Sequence, residues 1–242
     1  MAFPSEGFES TQTISPAQQM AMSRFVTRTY GWMFLGLLLT AFISYAIASS
    51  ETAVTWLMQN RWAFYGAIIA EFAVVIALTA AARRLSAFAA TLGFVFYAAL
   101  NGVVFSAIFL VYTMSSIANV FFIAAAMFGG LALFGAVTKK DLTALGTFVG
   151  MGLWGLILLG LVNMFVGSQS LNFGLGLAGV LIFAGLTAYD SQKIRMMAYQ
   201  SAGDGARGGE AEKGAIFGAL MMYLNFINLF LSLLRVMGSR RG

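Results

Sequence analysis

Long apolar runs separated by short polar breaks set the pattern of this chain. The breaks fall at Ser49-Ser50-Glu51, Arg83-Arg84, Ser115-Ser116, Lys139-Lys140-Asp141 and Gly167-Ser168-Gln169. A membrane-crossing helix needs about 20 mostly apolar residues. On that ruler the runs predict about seven spans, over 28–48, 62–82, 87–112, 116–137, 142–166, 173–197 and 214–237. Connections this short set consecutive helices antiparallel. Residues 1–23 are expected as a polar N-terminal tail, and 24–242 as one seven-helix transmembrane domain. The stretch 201–213, rich in glycine and charge, is expected as a mobile loop before the last span. The first apolar run is too long for a signal-peptide core.

Helical projection turns this pattern into candidate sites. In the last span Gly218, Asn225, Asn228, Ser232 and Arg235 share one face. A polar stripe does not face lipid, so this helix is expected at the centre of the bundle. In the sixth span Asn172, Gly176, Gly179, Thr187 and Asp190 share a face, with Phe183 among them. Facing each other, the two stripes would line a narrow water path blocked near Phe183. The plainer alternative is interhelical hydrogen bonding, on the order of 1 kcal/mol per bond. The two readings weigh equally for Asn228 and Ser232. The paired glycines Gly146/Gly150, Gly152/Gly155 and Gly176/Gly179 are expected to serve close helix packing.

Asp190 stands apart, because an acid inside a span is costly and marks a site. Burial and a nearby cation act on its ionisation in opposite senses. Arg83 and Arg84 end the second span on the same side and could pair with it, which would make a purely structural staple. Glu71, midway along the second span, either serves ion passage or satisfies an asparagine such as Asn101.

Composition narrows the chemistry. Of 242 residues, 60% are hydrophobic and 10% charged, against roughly 25% charged in a soluble domain. Long unbroken runs exclude a membrane β-barrel, leaving an all-α membrane protein. The chain has no Cys and no His, which removes thiol, Ser–His and His–metal chemistry. An aspartyl-type protease needs two carboxylates sharing a proton, and the other aspartates, Asp141 and Asp204, fall in or beside connections. No nucleophile–base constellation can be assembled, so no enzyme is expected. The net charge of +5 sits at span ends and does not argue for nucleic acid. Ten of the 14 basic residues lie on the side of the N-terminus, which is therefore expected in the cytoplasm. Arg235, Arg240 and Arg241 pull against an external C-terminus and leave open a re-entrant last span.

The stretches Ala188-Tyr189-Asp190-Ser191-Gln192-Lys193-Ile194 and Tyr223-Leu224-Asn225-Phe226-Ile227-Asn228-Leu229-Phe230 resemble the two signature segments of the Bax-inhibitor family, the transmembrane Bax inhibitor motif proteins. Gly31-Trp32-Met33, Asn101-Gly102 and Thr138-Lys139-Lys140-Asp141-Leu142 support the likeness. It covers nearly the whole chain beyond the tail and is closest to the bacterial inner-membrane branch. The resemblance implies a seven-helix fold with the last helix surrounded by the other six. It also implies a pH-sensitive calcium leak, sensed by an aspartate on each of the last two helices with a basic residue of helix two nearby. The helix-six aspartate matches Asp190, and the basic residue falls at Arg83 or its neighbour Arg84. The helix-seven aspartate falls at Asn225, where this chain departs. An amide shares no titrating proton with Asp190, so pH dependence is expected to be weaker or displaced. Asn225 still donates and accepts hydrogen bonds, like a permanently protonated aspartate.

The leading expectation is thus a pH-sensitive passive leak of calcium or another cation through the lipid bilayer. Asp190 would be a weak calcium ligand helped by Asn225 and backbone carbonyls, with no cofactor beyond the permeant ion. Glu71, Asn101, Thr187, Phe183, Asn228 and Ser232 are the candidates along the path. The alternative is a non-transporting regulator that binds other membrane proteins of stress or proteolysis, docking through the tail or the 201–213 stretch. A proton-coupled transporter would call for inverted repeats, and none is visible.

Overall fold

The computed structural model describes residues 15–82, 84–203 and 209–241. Ser15 starts the first helix. Its hydroxyl accepts from the Gln18 amide, and the Gln18 side chain accepts from the Ser15 amide. This reciprocal cap, with Pro16 in the first turn, fixes a helix start. Helix α1 (Pro16–Ala48) therefore begins inside the expected polar tail; residues 1–14 lie outside the described residues. The other helices are α2 (Glu51–Gln59), α3 (Arg61–Ala81), α4 (Ala87–Phe105), α5 (Ile108–Val111), α6 (Met114–Val137), α7 (Thr143–Val166), α8 (Gln169–Gly203) and α9 (Gly209–Met237). Seven stretches are long and apolar enough to cross a membrane: α1, α3, α4 with α5, α6, α7, α8 and α9. The chain is an integral membrane protein of helical type.

Two features depart from the expected spans. Helix α2 occupies what hydropathy leaves as a break. Ser50 caps it by accepting from the Ala53 amide, and Glu51 in its first turn complements the helix dipole. None of its residues is buried, and Trp56 and Met58 are exposed. The third span is interrupted between Phe105 and Ile108. The Ser106 hydroxyl donates to the Val103 carbonyl at 2.6 Å, and the Ser106 and Ala107 amides reach carbonyls three residues back. That spacing tightens the turn and ends the α-helix.

The 201–213 stretch is also more helical than expected. Helix α8 runs to Gly203 and α9 begins at Gly209, so helix takes both ends of the presumed loop. Glu210 and Glu212 lie in the first turn of α9, and Glu210 pairs with Lys213 at 2.9 Å. Acids there complement the helix dipole. The centre of the stretch, 204–208, lies outside the described residues.

Helix α9 is the axis of the bundle. Of its most apolar window 72% is buried, against 6% for α3 and for α7. Its main neighbours are α1, α4, α6 and α8. Four helices therefore enclose the last one, not the six that the resemblance implies. Helix α3 packs on α4 and α7 on α8 at the periphery, where helices apolar all round are suited to lipid. Helix α9 is long and apolar enough to cross a membrane completely. It runs parallel to α1, with Gly214 beside Phe25, Gly218 beside Thr29, and Tyr223 beside Gly36. Beyond it the Thr113 amide donates to the Ser239 carbonyl at 3.1 Å, and the Arg241 amide to the Val111 carbonyl at 2.9 Å. The Ser239 amide donates to the Ser116 hydroxyl at 2.8 Å. This clasp holds the C-terminal segment at the α5–α6 junction, at the end of the bundle opposite the start of α1.

Candidate functional site

Helix α8 supplies Asp190 and α9 supplies Asn225, and both are buried. Asn225 Nδ2 donates to Asp190 Oδ2 at 2.8 Å. A buried carboxyl needs partners, and the central helix provides this one. Next to it, the Ser191 hydroxyl lies 3.1 Å from the Tyr30 hydroxyl of α1 and donates to Met222 Sδ at 3.9 Å. Gln192 Oε1 accepts from the Leu142 amide at 3.0 Å, while its Nε2 donates to the Lys140 carbonyl at 2.8 Å. Arg195 Nη1 donates to the Ala136 carbonyl at 2.8 Å, near the end of α6. The residues after Asp190 thus staple α8 to the α6–α7 connection. Tyr189 lies over Gly146 of α7, where an added Cβ would come within 2.6 Å of the ring. Sequence reasoning misses the roles of Gln192 and Arg195. Their signal is a pair of long polar side chains at the end of an apolar run, opposite the exposed carbonyls of a helix terminus.

Of the two basic partners expected for Asp190, Arg84 makes no ion pair with it among the described residues. Arg84 is exposed, and α3 packs on α4 at the periphery. Arg83 lies outside the described residues. Among the described residues the ion pair is Lys213 with Glu210.

The expected water path along the α8–α9 stripe is a packed seam. The Thr187 hydroxyl donates to the Phe183 carbonyl, Asn228 Nδ2 to the Leu224 carbonyl, and the Ser232 hydroxyl to the Asn228 carbonyl. Each polar group is satisfied by its own helix. A Cβ added at Gly179 would collide with the Ser232 hydroxyl, and one at Gly176 would meet Val236 at 2.8 Å. The small residues bring the two backbones too close to leave a channel between them.

A second polar cluster lies across α9. Glu71 of α3 accepts from Asn101 Nδ2 and from the Tyr97 hydroxyl of α4. Of the two roles left open for Glu71, the hydrogen bond to Asn101 is present. Asn101 is fully buried, and its Oδ1 has no partner among the described residues. The Thr40 hydroxyl donates to the Ala98 carbonyl at 2.8 Å. Its one proton is thereby used, so the Tyr223 hydroxyl, 2.6 Å away, donates to Thr40. The Tyr223 ring stands edge-on to Phe94 and Tyr97, with centroids 5.7 and 5.9 Å apart. Tyr223 and Asn225 are two residues apart, about 200° around the helix. The axis therefore reaches Thr40 on one side and Asp190 on nearly the opposite side.

A family model described as "Inhibitor of apoptosis-promoting Bax1" matches residues 22–242. The chain belongs to the Bax-inhibitor family. The two stretches that carry the likeness in the sequence are those that meet at Asp190 and Asn225. Inner membrane protein YbhL of Escherichia coli (strain K12) is 44% identical to it over 220 residues, which is 91% of this chain and 93% of that protein. A Deinococcus radiodurans protein is 41% identical over 235 residues, 96% of this chain and 99% of its own length. A Borreliella burgdorferi protein is 41% identical over 220 residues, 91% and 94% of the two chains.

Proposed function

We propose that this Bax-inhibitor family protein is a pH-sensitive passive leak for calcium or a similar cation, with Asp190 as its titrating group. The observation that carries this reading is the buried hydrogen bond from Asn225 on the central helix to Asp190 on α8. An ionised carboxylate binds a donor more strongly than a neutral acid does. Protonation of Asp190 weakens its link to α9 and frees the axis to shift against α8. Calcium takes oxygen ligands, and Asp190 with the Asn225 carbonyl oxygen offers a small set of them. One acid makes a weak site, and conduction requires an ion to leave as well as enter. No catalytic step and no cofactor belong to this reading.

The setting we propose is a bacterial inner membrane, in keeping with the name of the Escherichia coli relative. The N-terminus faces the cytoplasm, with most basic residues on its side. The test is calcium uptake by liposomes holding the purified protein, at about pH 6 to 8, beside Asp190→Asn. Flux that depends on Asp190 and on pH supports the leak. Equal flux from Asp190→Asn would remove Asp190 from the role. No flux from folded protein would favour a regulator that binds other membrane proteins.

A further inference from the structure

Arg235, Arg240 and Arg241 run against the charge rule that sets the N-terminal face of this chain. They sit at the opposite face, where α9 ends and α6 starts. By sequence, the other charged residues in that face's connections are Arg61 and Glu51, so cations outnumber acids there by four to one. All three arginines are exposed, and among the described residues none of them makes an ion pair. Beside them an open groove of about 470 Å³ runs between the start of α6 and the C-terminal segment. Ser115, Ser116 and Ser239 make its polar part, while Phe122, Ile123 and Met237 make its apolar part. We infer that this groove holds an anionic phospholipid of the leaflet at the C-terminal face. Its phosphate lies by Ser115, Ser116 and the arginines, and its acyl chain lies along Phe122 and Ile123. The inference does not depend on ion conduction.

Charge, hydrogen-bonding capacity and polarity all select that occupant. Arginines near a membrane surface attract anionic lipid, and a guanidinium matches a phosphate with two parallel hydrogen bonds. The clasp fixes the segment that carries them: the Thr113 amide donates to the Ser239 carbonyl, and the Arg241 amide to the Val111 carbonyl. Ser116 is buried, and its hydroxyl accepts from the Ser239 amide at 2.8 Å. The proton of that hydroxyl has no acceptor among the described residues, so it is a donor left for the groove. The Thr113 hydroxyl takes the Ser116 amide, but the Met114 and Ser115 amides have no partner among the described residues. First-turn amides of this kind suit a phosphate oxygen. Ile123 lies about 10 Å further along α6 than Ser116. Phe122, Ile123 and Met237 are exposed, so the apolar part of the groove opens to lipid and not to another helix. The polar part at the end of the span and the apolar part further in follow the order of a phospholipid, headgroup then chain.

The test is native mass spectrometry of the full chain in a mild detergent, titrated with phosphatidylglycerol or with phosphatidylcholine. Thermal melts with either lipid or with inorganic phosphate run beside it. Three variants are compared: Arg240→Gln with Arg241→Gln, Asn119→Asp, which puts a negative charge into the groove lining, and Arg24→Gln with Arg28→Gln at the N-terminal face. All five side chains are exposed, so the variants keep the fold. The expected result is that phosphatidylglycerol binds more tightly than phosphatidylcholine and raises the melting temperature. The Arg240/Arg241 variant should weaken its tightest binding by roughly tenfold to thirtyfold. Asn119→Asp should weaken it too, and the Arg24/Arg28 variant should leave it in place. Equal binding of the two lipids, or none of either, would overturn the inference. So would tight binding that survives in the Arg240/Arg241 variant. A loss there without one in Asn119→Asp would move the lipid off the groove and overturn it as well. Inorganic phosphate that stabilises the chain as much as phosphatidylglycerol would show a site for a free anion instead of a lipid.

Discussion

Asn225 and Asp190 meet at 2.8 Å, donor on the central helix and acceptor on α8, with both side chains buried. Where two acids would repel, the amide gives this contact a fixed polarity, because only Asn225 can donate to an ionised Asp190. Replacing Asn225 by Leu keeps the volume and removes the donor. We expect it to destabilise the protein by about 1–3 kcal/mol, the cost of an unsatisfied buried polar group. Asn228→Leu should cost less, because its amide only returns to the Leu224 carbonyl of its own helix. Unfolding in detergent, monitored side by side, checks the contrast.

The glycines fall into two kinds. At Gly135 an added Cβ would run into the backbone carbonyl of Ala188, which cannot swing away, whereas at Gly150 nothing lies within 4 Å. Gly135→Ala is predicted to cost about 1–3 kcal/mol through overpacking. Gly150→Ala is predicted to gain about 0.5–1 kcal/mol from reduced backbone entropy. Thermal melts of the two variants test this directly.

Gln192 holds the α6–α7 connection by two bonds, one from the Leu142 amide and one to the Lys140 carbonyl. Gln192→Leu should lose about 1–2 kcal/mol, at roughly 1 kcal/mol per hydrogen bond. Amide exchange at Leu142 should accelerate, and exchange in the middle of α9 should change less.

Asp141 lies in that same connection, where the Thr143 hydroxyl and the Thr143 amide bond its carboxylate at 2.6 and 2.9 Å. They hold its carboxyl below the usual carboxylate range. A depressed folded-state value means that the contribution to stability is fully present above the unfolded-state value of about 4 and is lost as pH falls through the folded-state one. Melting temperature measured from about pH 5 downward should fall less steeply in Asp141→Asn than in the wild type.

Much of this architecture is legible in the sequence. Seven crossing stretches follow from hydropathy, and the central place of α9 follows from Asn225 and Ser232 sharing a polar stripe. Asn101 is also anticipated as a partner for Glu71. Three things are not legible, each for a physical reason. Hydropathy does not register the Ser106 hydroxyl tightening the backbone, so the third span looks continuous. A helical projection gives the direction of Gly179 and Ser232 but not their separation, so a seam looks like a path. The staples of Gln192 and Arg195 end on backbone groups, so the two long polar side chains are visible in the sequence but their partners are not. The start of α1 is written in Ser15-Pro16 and Gln18, a cap that a count of apolar residues passes over.

In the proposed leak Asp190 titrates and Asn225 sets how its protonation is felt. The most direct measurement is the pH profile of calcium flux in liposomes for the wild type and for Asn225→Asp, with Asp190→Asn as reference. Two carboxyls in contact titrate as a coupled pair, so Asn225→Asp should acquire a steeper or displaced profile between about pH 5 and 8, and Asp190→Asn should lose pH dependence. Superimposable profiles for the wild type and Asn225→Asp, from folded protein, would contradict it.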